Sequence, residues 1–270
     1  MAIDVRVEGW VATVTMDRQA ALNALDVSQL VDLQAALGAL AVRDDVRAVI
    51  LTGAGERAFA AGADVKVMAT MTAAEGRAFG LLGQGVTETL AGMPQPTIAA
   101  VNGFALGGGC ELAIACDLRV AADSAVFAQP EVSLGIPAGW GGTQRLAALV
   151  GPGVALEMLL SGRRVDAAEA LRVGLVNAVV PAADLVTKVR AMADTIAMNG
   201  PEAVRATKRL VRGAMAAGLD AGLAAELDAF AAAFGTAEQR EGMAAFVGRR
   251  PASFSRSDDD LQHSEGEQDR

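Results

Sequence analysis

The chain of 270 residues carries a formal net charge of −9 at pH 7, which argues against a non-specific nucleic-acid binder, since that task needs a positive surface. Apolar residues make up 52% of it but aromatics only 4%, with no tyrosine, so the core must rest on tightly packed Ala, Val and Leu. The length suits one large domain, or a domain with a smaller appendage. Cys110 and Cys116 lie close together in an apolar setting and make no disulfide framework, which predicts a reduced, intracellular protein. The N-terminal residues have no basic stretch followed by a long apolar run, and no apolar run reaches a membrane span. Together these predict a cytoplasmic protein without membrane insertion.

Residues 5–8 and 11–16 alternate moderately about Gly9 and Trp10 and predict a strand pair. Residues 17–24 read as a loop that Asn23 can hold through local backbone bonds. Asp26 can cap a helix to about residue 41, with Leu30, Leu33 and Leu37 on one face. Residues 43–45 make a polar turn and 46–51 a buried strand. That order predicts an α/β unit with a right-handed crossover. Residues 53–64, GAGERAFAAGAD, read as a loop, with Asp64 opening a short helix over 65–68. Small residues at 60–63 permit close approach of a ligand, and the Ala63 N–H could donate to a carbonyl oxygen; an ordinary tight turn fits equally. Lys66 can meet a phosphate or stand in solvent.

Thr72 and Glu75 predict a capping box for a helix to about Leu90. Its glycines at 76, 80, 83 and 85 weaken it and mark either a pocket wall or close packing. Pro94 and Pro96 punctuate the chain before a buried strand at 97–101.

Residues 98–145 carry the chemistry. Gly107, Gly108 and Gly109 precede a short helix containing Cys110 and Glu111, and a second acid, Glu131, follows after predicted strands at 117–121 and 125–127. Gly108 can expose its N–H near a helix N-terminus, a donor suited to an oxyanion. The phosphate-binding Gly-x-x-x-x-Gly-Lys-Ser/Thr pattern is missing, which argues against a nucleotide site. Glu111 and Glu131 are too far apart to share a helical face. If the fold brings them together, one can polarise water while the other transfers a proton. The residues alone equally allow a solvent-facing Glu111 and a Glu131 that merely caps a turn. Cys110 reads as packing rather than nucleophile, because the only histidine, His263, sits in a polar tail.

Further helices are predicted at 141–150, 154–160 and 166–171, then a strand at 175–180 and helices at 184–198, 202–217, 219–234 and 236–247. Phe230, Phe234 and Phe246 are expected to pack between helices. No compact Cys/His set suggests a metal site. Residues 255–270, SRSDDDLQHSEGEQDR, predict a disordered acidic tail.

In chain order, MDRQAALNAL, AFAAGADVK, IAAVNGFALGGGCELAIACD, FAQPEVSLG, GGTQRL and FGTAEQREGMAAFVGRRPASF resemble the enoyl-CoA hydratase/isomerase, or crotonase, superfamily, and within it the enoyl-CoA hydratases. The resemblance implies an α/β fold: a ββα spiral core over residues 1–195 and a helical C-terminal region over 196–254 for closure and oligomerisation. It implies a backbone oxyanion hole from Ala63 and Gly108, and an acid pair in Glu111 and Glu131. It implies coenzyme A contacts from Ala61 and Lys66, and from Phe230 and Arg249 near the C-terminus.

The implied activity is reversible hydration of a trans-2-enoyl-CoA. The alternatives are double-bond isomerisation, another acyl-CoA lyase reaction, or acyl-CoA binding without turnover. No separate cofactor is implied, since coenzyme A arrives within the substrate; the implied partner is a second copy, in trimers or hexamers. Three stretches depart from the pattern. Ala20 and Ala21 replace the usual Pro-Lys, Arg249 replaces a lysine, and the loop after Glu131 reads Ile136, Pro137, Ala138, Gly139, Trp140, with the proline one place early. These changes bear on substrate shape, and Trp140 is expected near the acyl pocket.

Overall fold

The computed structural model describes residues 3–254. They divide into two compact units that meet in sequence at Ala197 and Met198. The expected acidic tail and His263 lie outside the described residues.

The first unit opens with a hairpin, β1 (Ile3–Glu8) antiparallel to β2 (Val11–Met16). Helix α1 (Val27–Ala41) follows. Asp26 and Gln29 close a reciprocal capping box at its start, satisfying N–H groups that the first turn leaves open. The chain returns as β3 (Ala48–Gly53), parallel to β2, as the strand–helix–strand order predicts.

A pattern then repeats. β3 leads into β4 (Ala58–Ala60), then α2 (Val65–Met68) and α3 (Ala73–Gly92). β5 (Thr97–Val101) leads into β6 (Phe104–Leu106) and α4 (Gly108–Ala115). β7 (Leu118–Ala122) leads into β8 (Val126–Ala128), a 3-10 turn at Glu131–Leu134 and α5 (Gly142–Ser161). β9 (Val165–Asp166), α6 (Ala167–Arg172), β10 (Ala178–Val180) and α7 (Leu185–Ala197) complete the unit. The first strand of each repeat joins a six-stranded sheet ordered β1-β2-β3-β5-β7-β10. The second joins a four-stranded sheet ordered β4-β6-β8-β9. The chain thus winds as a ββα spiral between two sheets.

Alternation along the strands feeds two cores. In β3, Val49 and Leu51 face the main core with Leu33, Phe59, Leu90 and Leu112. Ala48 and Ile50 face the other way, onto Leu185, Val189 and Ala193 of α7. Both faces of the large sheet are covered, which is why its central strands read as continuous apolar runs.

Two expectations are corrected, at the loop 53–64 and the strand 175–180, and two gain detail. The predicted loop 53–64 contains β4, a strand of three residues whose partner β6 lies far along the chain. Asn23 bonds beyond its own loop as well as within it: its amide donates to the carbonyls of Ala54 at 3.1 Å and Ala58 at 2.8 Å. The helices predicted at 141–150 and 154–160 lie on either side of a kink within α5, where Gly151 leaves the helical region at φ 77° and ψ 159° before Pro152. The predicted strand at 175–180 shrinks to β10, because Leu175 and Val176 instead donate to the carbonyl of Ala170.

The second unit contains α8 (Pro201–Ala217), α9 (Leu219–Ala233) and α10 (Ala237–Val247). Here the expectation that Phe230, Phe234 and Phe246 pack between helices is corrected. All three are exposed, Phe230 by 63%, and Phe230 meets Phe234 edge to face, at 5.0 Å. A helix can show an apolar stripe in sequence without its own chain supplying the surface that covers it. Among the described residues, no helix is long and apolar enough to cross a membrane.

Candidate active site

The spiral brings the ends of its repeats around one cavity of about 660 Å³. Ala61, Ala63, Gly107, Gly108, Glu111 and Glu131 all line it. Glu111 comes from α4 and Glu131 from the 3-10 turn after β8.

Each of the three glycines has a separate steric reason. Gly107 has φ 50°, and a Cβ there would lie 2.8 Å from Oε1 of Glu131. A Cβ on Gly108 would overlap the Trp140 indole, and one on Gly109 would overlap the Ala60 carbonyl of β4. The helix start is therefore pressed against a strand, an aromatic ring and a carboxylate at once.

Two residues on the cavity lining, Ala63 and Gly108, carry main-chain donors. Leu25 donates to Gly62 and Asp64 donates to Leu25, both at 2.8 Å, so these bonds flank Ala63 without using its N–H. Gly108 stands at the first position of α4, where an N–H has no partner within the helix. Neither N–H is engaged by another group among the described residues. Two unengaged amides on one cavity can hold negative charge developing on a carbonyl oxygen.

Glu111 is only 2% exposed. Its Oε1 accepts the N–H groups of Trp140 and Gly142, each at 2.7 Å. Burial raises its pKa, while these two bonds and the nearby Arg145 charge pull the other way. Glu131 is pushed up to about 7, first by burial, then by the Glu111 charge, against a bond from its own N–H. With its amide nitrogen turned to Glu131, the buried Gln129 donates to both carboxylate oxygens at 3.1 Å. The acids thus share a site in unequal settings. Two backbone amides and a cation favour the ionised form of Glu111, and among the described residues no cation offsets burial at Glu131. Such an asymmetry suits one base and one acid.

Cys110 is buried, and burial plus the two glutamate charges push its thiol well above the ordinary range. It packs in the core, as its sequence setting predicts. Lys66 is exposed on α2, the helix whose Val65 and Met68 line the cavity. Phe230 and Arg249 belong to the second unit and are exposed there, Arg249 with φ 51°. Two contributors escaped the sequence reading. Gln129 stood inside the quoted FAQPEVSLG segment, two residues before Glu131, but its partner was not visible. Arg145 stood in GGTQRL, and its guanidinium now donates to the Trp140 carbonyl at 3.0 Å.

The sequence profile described as enoyl-CoA hydratase/isomerase matches residues 6–257. A short-chain-enoyl-CoA hydratase of Clostridium acetobutylicum is 47% identical over 90% of this chain and 93% of its own. A crotonyl-CoA hydratase of Syntrophomonas wolfei is 46% identical over 90% of this chain and 94% of its own. The crystal structure of an enoyl-CoA hydratase from Bacillus anthracis superposes with a TM-score of 0.92 at 40% identity, covering 94% of this chain and 99% of that one. With its ββα spiral, its helical C-terminal region and this degree of similarity, the chain is an enzyme of the enoyl-CoA hydratase/isomerase, or crotonase, family.

Proposed function

We propose that the chain catalyses reversible syn addition of water to a trans-2-enoyl-CoA, giving a 3-hydroxyacyl-CoA. One observation carries this reading: two carboxylates with raised pKa values share a cavity with two unengaged backbone amides. Relatives named as short-chain-enoyl-CoA and crotonyl-CoA hydratases support the same substrate class.

The N–H groups of Ala63 and Gly108 hold the thioester oxygen. Glu111, ionised, takes a proton from water as the water oxygen bonds to C3. The electron pair of the C2–C3 double bond moves toward the thioester, whose oxygen gains negative charge between the two amides. As that charge returns, C2 takes the proton of Glu131. Transfer of a proton from Glu111 back to Glu131 restores the starting state. Each proton and electron pair is accounted for, and the scheme draws on no further cofactor. Ala61 and Lys66 are assigned to the coenzyme A portion, with Phe230 and Arg249 contributing from the C-terminal region. The reading includes self-assembly into trimers or hexamers, supported by the exposed apolar side chains of α9.

The test is product-resolved turnover of crotonyl-CoA and longer enoyl-CoA substrates. Hydration product is expected, and E111Q and E131Q are each expected to lower kcat by about two to four orders of magnitude with the fold retained. A shifted double bond without hydration would identify an isomerase, and binding without turnover a noncatalytic acyl-CoA protein. Normal turnover in both variants would reject the acid pair.

A further inference from the structure

The cavity has an open rim and a closed end. Val65, Leu134 and Ile136 on its lining are exposed, whereas Phe79 and Trp140 are 6% and 4% exposed. The two buried rings meet edge to face, with centroids 5.6 Å apart and planes at 70°. The lining thus includes exposed apolar residues at its rim and a buried aromatic pair.

The indole is fixed there on two sides. A methyl group on Gly83 of α3 would overlap its five-membered ring, and one on Gly108 would overlap its six-membered ring. The ring thus fills the space between the wall helix and the amide assigned to the thioester oxygen. No methyl group fits between the indole and either glycine. The Trp140 main chain is held as firmly. Its carbonyl accepts the Thr87 hydroxyl at 2.9 Å and Arg145 at 3.0 Å, and Gln84 donates to the neighbouring Gly139 carbonyl at 2.9 Å. Thr87 and Gln84 both belong to α3, so one helix anchors the loop and leaves room for its ring.

We infer that Trp140, backed by Phe79, is the end wall of the acyl slot and restricts the enzyme to short enoyl thioesters such as crotonyl-CoA. The inference rests on the hydratase reading and adds the acyl length. Gly83 is part of the device: it is the α3 glycine whose side-chain space the indole occupies. Truncating the indole opens space continuous with the slot. It leaves the Trp140 N–H, on which Glu111 depends, in the main chain.

The experiment measures kcat/KM for crotonyl-, trans-2-hexenoyl- and trans-2-decenoyl-CoA with wild type and W140A. Wild type is expected to favour crotonyl-CoA. W140A is expected to raise the decenoyl-to-crotonyl ratio by about tenfold or more, the scale on which a few methylenes in an apolar pocket discriminate. W140F keeps an aromatic ring in the core and should shift the ratio in the same direction, so it decides the matter if W140A does not fold. An unchanged ratio in the folded variants, or equal wild-type activity on all three substrates, overturns the end wall while leaving hydration intact. No hydration of any substrate by wild type would instead overturn the hydratase reading itself.

Discussion

Glu131 is held near neutrality by burial and by the charge of Glu111. As the proton donor in hydration it must start protonated, so kcat/KM for hydration is expected to fall as pH rises through about 7. Dehydration needs the ionised form and should gain over the same range, and initial rates in both directions check this. The same shift acts on stability. A carboxyl raised from 4.5 to about 7 binds more protons folded than unfolded between those values. Its contribution is therefore complete below the lower value and declines as pH rises to the upper one. E131Q removes the cost of the buried charge, so its unfolding free energy relative to wild type should grow from about pH 5 to about pH 8, by roughly 1–3 kcal/mol, as denaturant titrations at the two pH values would show. Gln129 acts through Glu131 by donating to both its oxygens. Q129L is expected to lower kcat about tenfold to a hundredfold and to move the alkaline limb upward, because the ionised carboxylate loses its donors. A loss of kcat with an unmoved limb would make Gln129 a packing residue only. Both acids were legible in the sequence, but Glu111 could equally have faced solvent. The deciding partners, the Trp140 and Gly142 amides, belong to a loop some thirty residues away.

The short helix α4 concentrates the site. One turn carries an unengaged amide, the packed Cys110 and the buried Glu111, and its position depends on glycines that let β4, Trp140 and Glu131 approach. G109A places a methyl group into the Ala60 carbonyl. It is expected to lower Tm and kcat together, because the helix must leave β4 and carry Glu111 with it; overpacking of this kind typically costs about 1–3 kcal/mol. A thermal melt and a crotonyl-CoA assay on one preparation check both effects. At this scale the sequence was most readable where local chemistry sets the element. Asp26 with Gln29 and Thr72 with Glu75 begin α1 and α3 through bonds made within one turn. It was least readable at β4 and β6, three residues each, whose strand character comes from a second sheet assembled out of distant repeats. The break within α5 was readable too, because Gly151 and Pro152 stand where the helical backbone is interrupted.

At the scale of the whole molecule, the second unit leaves a large apolar surface on its own helices. Leu219, Leu223, Leu227, Phe230 and Phe234 are exposed along or just beyond α9. If the proposed self-assembly covers this surface, wild type should sediment as a trimer or hexamer, and L223E with L227E should release smaller species. A monomeric wild type at assay concentration would refute the assembly. By itself, the amino-acid sequence determined the α/β class, the order of the main elements, the helix starts and the family. These follow from local caps, from apolar runs covered on both faces, and from motifs kept in order. Only the tertiary structure decided that Glu111 is buried, that Glu131 stands beside it in a different setting, and that Ala63 and Gly108 open onto the same cavity. It also decided where the indole of Trp140 lies. The reason is physical: an amide becomes a site for negative charge, and a carboxylate an acid near neutrality, through what surrounds it. Here those surroundings come from separate turns of the spiral that no local pattern connects.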